Sequence, residues 1–301
     1  MKITPSCTAC IILKRSVELE QMYSDENNQE RLSVLRELLE AMGLYIGPDI
    51  EVAELATVSF RRMKTLSPHV VKFYETLIDT VGRQARRRAE RIAEIVSGKK
   101  PEEALPTLLR AAALASGYKP LPVHWRLLEE PPLEVELASV RLGIDHTENA
   151  VEYLKRIGRE GGTVYYVFAT VYELPYDINV VSKLREEFGI KIVGVVRSER
   201  YEDYVTLRDL DNMGYTDSLD DIVEIDGDQA VPMAEESQHV IELLNDASLV
   251  VVKNDIPTLY FKNNPLRVPI LYLFTAYCPV LAKAFNVHEG SVNIVLENVH
   301  L

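Results

Sequence analysis

Thr163-Val164-Tyr165-Tyr166-Val167-Phe168 and Lys191-Ile192-Val193-Gly194-Val195-Val196 decide the fold class. Each is a short, continuous apolar run rich in β-branched and aromatic residues, without the apolar–polar alternation of a strand that has one wet face. Similar runs follow at Ile222–Ile225, Leu249–Val252, Val268–Phe274 and Val292–Leu296. Helical patterns at 178–188, 202–213, 233–246 and 279–285 separate most of them. Strands that are apolar on both faces and alternate with helices predict a mainly parallel sheet covered on both sides.

Upstream the period changes. Leu13, Val17, Leu32, Leu35, Leu38, Leu39 and Met42 recur at three- and four-residue steps, which predicts a helix over 12–45. Further helices are expected over 50–64, from Pro68 to Val96, from Pro101 to Gly117, and over about 134–157. The prolines at 120, 122, 131 and 132 mark the expected boundary. The reading is a helical N-terminal domain over 1–130 and an α/β, Rossmann-like domain over 131–301 that carries the site.

Composition narrows the function. The net charge of −13 argues against a nucleic-acid partner, which needs a basic surface. The run Arg83–Arg88 lies in a helical pattern beside Glu90 and Glu94 and reads as a solvated face. No apolar run approaches the roughly 20 residues of a membrane span. No secretory signal is visible, so a cytoplasmic location is expected. The six histidines are scattered without metal-site spacing, and no P-loop or nucleophile elbow is present. Gly158-Arg159-Glu160-Gly161-Gly162 precedes its strand, whereas a dinucleotide fingerprint follows one.

Open parallel sheets bind ligands beyond the carboxyl ends of their strands. That rule selects Ala169–Glu173 with Tyr176 and Asp177, then Arg197, Ser198, Asp203, Tyr204, Thr206 and Asp209, then Lys253, Asn254 and Asp255. Clustered oxygen donors suit a hard divalent cation, and a lysine suits phosphate. The plain alternative is turn and capping chemistry, which also favours Asp, Asn and Glu in loops. Cys7-Thr8-Ala9-Cys10 could bind a soft metal or act as a redox dithiol, and Cys278 is the only other cysteine. Two cysteines one helical turn apart could also be small buried hydrophobes.

Taken together the chain resembles the damage-control phosphatases, formerly a domain-of-unknown-function family, in their small archaeal, cysteine-bearing branch. The resemblance runs over nearly the full length. Cys7-x-x-Cys10, Pro68 and Lys72, Gly143-Ile144-Asp145, Ala276–Ala282 and Asn286–Ser291 carry it. It implies a metal-dependent phosphatase acting on sugar phosphates or related small phosphometabolites, with manganese, cobalt, nickel or magnesium. It also implies that Cys7, Cys10 and Cys278 meet in space, with a soft metal as one expectation.

The sequence departs from the family at the metal site. Where the family motif reads Asp-Asn-x-Gly-Glu, then Phe-Asp, this chain has Ala169-Thr170-Val171-Tyr172-Glu173, then Tyr176-Asp177. Tyr204 replaces a third metal-binding Asp, beside Asp203. Lys253 matches the family lysine, but the Gly and Asn that follow it are replaced by Asn254 and Pro257. The resemblance therefore leaves Glu173, Asp177 and Lys253 as catalytic candidates. Asp177, Asp203 and Asp209 remain as metal candidates, with Asp255 and Asp145 nearby, and Lys253 and Asn254 as the phosphate-binding pair. A homologue that binds a phosphorylated ligand or a partner protein without catalysis, and a cysteine-centred metal or redox protein, are the alternatives.

Overall fold

The computed structural model describes residues 1–118, 121, 137 and 139–299. Five helices come first: α1 (Pro5–Met22), α2 (Asn28–Gly43), α3 (Val52–Leu66), α4 (His69–Val96) and α5 (Pro101–Ala115). The expected helix over 12–45 is two helices. Tyr23 is extended at the end of α1, and a 3-10 turn at Asp25–Asn27 reverses the chain before α2. The expected boundary around 119–132 lies, apart from Leu121, outside the described residues.

Seven strands follow: β1 (Leu142–Asp145), β2 (Thr163–Val167), β3 (Lys191–Arg197), β4 (Asp221–Ile225), β5 (Leu249–Lys253), β6 (Ile270–Thr275) and β7 (Val292–Glu297). Between them run α6 (Thr147–Glu160), α7 (Leu174–Phe188), α8 (Leu207–Met213), α9 (Ala234–Asn245), α10 (Asp255–Asn263) and α11 (Pro279–Phe285). The expected helix over 134–157 is corrected: among its described residues, 142–145 form β1, and the helix proper starts at Thr147.

The strands form one sheet of order β1-β7-β6-β5-β2-β3-β4. All neighbours pair in parallel except β6 and β7. The glycines before β2 are structural. Gly161 ends α6 at φ +68°, and a Cβ on Gly158 would lie 2.2 Å from the Phe188 carbonyl oxygen. The first ends a helix in the left-handed region; the second lets α6 approach the end of α7.

Strand alternation divides the core. Val164, Tyr166 and Phe168 of the β2 segment point to one face, against Ala85, Leu108, Ala112, Leu154 and Leu184. Val167 and Ala169 point to the other, where Cys7, Leu38, Phe60, Leu259 and Leu281 pack. Each core joins side chains of the first five helices to the sheet. No helix of the described residues is long and apolar enough to cross a membrane.

Candidate functional site

β2 has β5 on one side and β3 on the other, so the chain connections diverge at the carboxyl ends of β2 and β5. Such a divergence opens a crevice, and it is where open α/β sheets bind ligands. Thr170 and Glu173 follow β2; Lys253 ends β5; Asn254 comes next. The structure brings Glu173, Asp177, Lys253 and Asn254 together here.

Lys253 is 0% exposed. Its Nζ lies 3.0 Å from Asp177 Oδ1 and 3.3 Å from Glu173 Oε2, and it donates to the Ala112 carbonyl of α5. Tyr166 OH donates to Asp177 Oδ1 at 2.7 Å, and Thr170 Oγ1 donates to Glu173 Oε1 at 2.9 Å. Asn254 Nδ2 also donates to Glu173 Oε1. Glu173 occupies the position before α7, and Asp177 lies in the first turn of that helix. Burial pushes the Asp177 carboxyl up to about 7, against the pull of Lys253 and with a further push from Glu173. The cluster is a buried ion pair with a second acid attached.

Asn254 has φ +67° and ψ 177°, a backbone conformation that glycine adopts far more readily. Its side chain compensates by accepting from Asp255 N at 2.7 Å, which caps α10, and by holding Glu173. The lysine loop thus keeps a glycine-like path without its glycine.

A cavity of about 490 Å³ opens on the other face of the sheet, where α1, α3, α10 and α11 lie. Its lining includes Thr170, Asp203, Tyr204, Asp255 and all three cysteines, but not Glu173, Asp177, Lys253 or Asn254. The volume falls within the usual range for small-molecule sites. Sequence reasoning did not single out Tyr201, Glu202, Lys14 and Arg15, which also line it. Lys14 and Arg15 both pair with Glu202, and Arg15 Nη1 lies 2.6 Å from Glu18 Oε1. Both described cations of the lining are therefore held by carboxylates. The helical spacing of Lys14, Arg15 and Glu18 was visible in the sequence; their partner Glu202 was not.

The positions that the resemblance aligns with family metal ligands lie close together and carry other chemistry. Thr170 and Tyr204 form an antiparallel bridge. Ala169 offers a methyl group, and the Thr170 hydroxyl is engaged by Glu173. The Tyr204 ring lies 4.4 Å from the guanidinium carbon of Arg197. Arg197 is fully buried, donates to the carbonyls of Phe168, Gln229 and Ala230, and is lowered by burial to about 10. A divalent ion here would meet a methyl group and a fixed cation where it needs oxygen anions, so these residues do not fit one.

The remaining acids have other partners. Asp209 forms a capping box with Thr206 at the start of α8 and lies 2.7 Å from Arg200 Nη2. Asp145 accepts from Thr147 N at 3.1 Å and pairs with Arg110 at 2.9 Å. Asp203 lines the cavity, and Asp177 and Asp209 do not. Among the described residues no group of three or more His, Cys, Asp or Glu is placed to hold a metal ion.

Comparison with known proteins fits this geometry. A solved structure of a DUF89 family protein from Pyrococcus horikoshii superimposes with a TM-score of 0.74 at 19% identity, covering 98% of each chain, which shows the shared fold. No curated protein matches the chain. The family model of the damage-control phosphatase ARMT1-like domain matches residues 3–292. A match over nearly the whole length places the chain in the damage-control phosphatase ARMT1-like family.

Proposed function

We propose that this member of a phosphatase family binds a small molecule in the 490 Å³ cavity and does not hydrolyse phosphate at the inherited metal position. The observation that carries the reading is Lys253, sealed between Glu173, Asp177 and the Ala112 carbonyl and absent from the cavity wall. Phosphoryl transfer needs cations aimed at the phosphate oxygens. Here the family lysine is already neutralised, the metal ligands at 169, 170 and 204 are gone, and Lys14 and Arg15 are paired with Glu202. The phosphorylated metabolites of the family are therefore poor ligands for this chain. A less charged molecule suits the tyrosines and aliphatic side chains of the lining.

The test measures phosphate release and melting temperature against a panel of sugar phosphates and the parent sugars, with manganese, cobalt, nickel or magnesium. The expected result is no release with any ion, and no greater stabilisation by a sugar phosphate than by its parent sugar. Ion-dependent release would overturn the proposal, as would stabilisation by the phosphorylated form alone.

A further inference from the structure

We propose that the cavity takes a small amphiphilic amine, with its primary ammonium held by Asp255 and Tyr201 and its apolar body against the helices. This rests on the reading that the cavity binds a small molecule, and it names the class. The walls divide by origin. Aliphatic side chains come from the helices: Ile11 on α1, Val52 on α3, Leu259 on α10 and Val280 on α11. Polar groups come from the connections beyond the carboxyl ends of the strands: Tyr201, Glu202 and Asp203 after β3, Asp255 after β5 and Tyr277 after β6. A ligand that fills both parts needs an apolar body and one polar end.

The sign of that end follows from the charges. The described lining carries two cations, Lys14 and Arg15, and three carboxylates, Glu202, Asp203 and Asp255. Glu202 takes both cations. Behind the wall stands one more of each sign, Glu18 against Arg15 and Arg197 beneath Tyr204. One negative charge is therefore in excess, and an anionic ligand would add another. Asp255 is half-buried. Burial pushes the phenols of Tyr201, Tyr204 and Tyr277 well up, and in each the Asp255 carboxylate adds to the shift, so Asp255 sits among three aromatic rings. A carboxylate flanked by tyrosines suits an ammonium, by charge and by the ring quadrupoles. It has about four acceptor positions, so Asp255 can serve Tyr277 and an ammonium together. Tyr201 is fully buried, and its hydroxyl has no hydrogen-bond partner in the fold. Buried polar groups ordinarily have one, and an ammonium N–H supplies it. A quaternary ammonium has no N–H to give, so the class is a primary amine.

The experiment is isothermal titration of the intact protein at neutral pH with hexyl and 2-phenylethyl bodies, each as the primary amine, the alcohol and the phosphate monoester. The amine should bind at least about tenfold more tightly than the alcohol on the same body. Asp255→Asn should remove most of that preference and leave the alcohol unchanged. Tyr201→Phe should weaken the amine about fivefold while the melting temperature of the free protein does not fall, because no hydrogen bond is lost. The ratio of amine to alcohol in the wild-type protein requires no variant to fold. Equal or tighter binding of the alcohol, no binding of either amine, or an undiminished preference in Asp255→Asn would overturn this inference, and the first of these leaves the small-molecule reading intact. Tighter binding of the phosphate ester than of the alcohol would overturn both.

Discussion

Replacing Lys253 with methionine removes the cation that, among the described residues, contacts two fully buried carboxylates. Lys253 Nζ lies 3.0 Å from Asp177 and 3.3 Å from Glu173, and neither Asp177 Oδ2 nor Glu173 Oε2 has a hydrogen-bond partner to offset the loss. With Asp177 titrating at about 7, the wild-type cluster is close to neutral when that carboxyl holds a proton. Lys253→Met leaves a net negative charge in a site that water does not reach. Breaking a buried pair from one side costs about 3–5 kcal/mol, a large part of a typical total of about 5–15 kcal/mol. Methionine fills a similar volume, so a cavity adds little. Urea denaturation followed by circular dichroism at neutral pH measures the difference. Adding Glu173→Gln and Asp177→Asn should restore most of the stability, because the whole charge set is then gone. A loss below about 1 kcal/mol, the range of an exposed pair, would refute the assignment of Lys253 as a sealed structural cation.

Three other perturbations test the surrounding parts. Asp177 is a carboxyl whose folded-state value is raised from 3.8 to about 7, so the folded protein holds more protons than the unfolded chain between those values. Its contribution to stability therefore falls as pH rises through about 4 to 7, by about 4 kcal/mol in all. Asp177→Asn should flatten that part of the stability–pH curve, and an unchanged slope would contradict it. Asn254→Ala keeps the backbone at φ +67° while losing the bonds to Glu173 and Asp255, so it should cost more than Asn254→Gly, by about 1 kcal/mol or more in urea denaturation. Arg197→Met strips the donor from three buried carbonyls and the cation from the Tyr204 ring, whereas Tyr204→Leu removes the ring's contacts with Arg197 and Tyr201. The first should cost at least about 3 kcal/mol by the same measurement and the second about 2 kcal/mol.

The sheet was legible because its strands are continuous β-branched runs, a pattern that few other structures produce. β1 was read as helix: Leu142–Asp145 has only four residues and depends on contacts far along the chain. The Asn293 side chain accepts from Ile144 N, and β7 supplies the pairing. The sequence pattern gives no helix at α10, where Pro257 sits in the first turn, a position proline tolerates because its N–H has no helical partner. The split between α1 and α2 was signalled by Ser24, Asp25, Asn27 and Asn28, residues that favour turns.

The site was legible as a list of residues and not as an arrangement. Strands apolar on both faces carry no alternation, so nothing local told which side of β5 Lys253 faces. Its pairing with Glu173 and Asp177, and the separation of all three from the cavity, follow from the strand order. The family resemblance leads to the expectation that Cys7, Cys10 and Cys278 meet; all three line one cavity, but among the described residues no three such donors are placed to hold a metal ion. The substitutions at 169, 170 and 204 were plain in the sequence. Arg197 was marked by its place at the end of β3, but its burial beneath Tyr204 was not, because arginine at the end of a strand ordinarily reads as a surface residue.

On the proposed reading the rim at Ala169, Thr170 and Tyr204 binds no divalent ion, because Arg197 and the paired Lys253 are neutralised within the fold. A crystal soaked in saturating manganese and inorganic phosphate, read by anomalous scattering, tests this directly. No manganese peak is expected at the rim, with Lys253 Nζ still against the Ala112 carbonyl. A manganese ion beside Thr170 and Asp203, with Lys253 turned toward a bound phosphate, would contradict it.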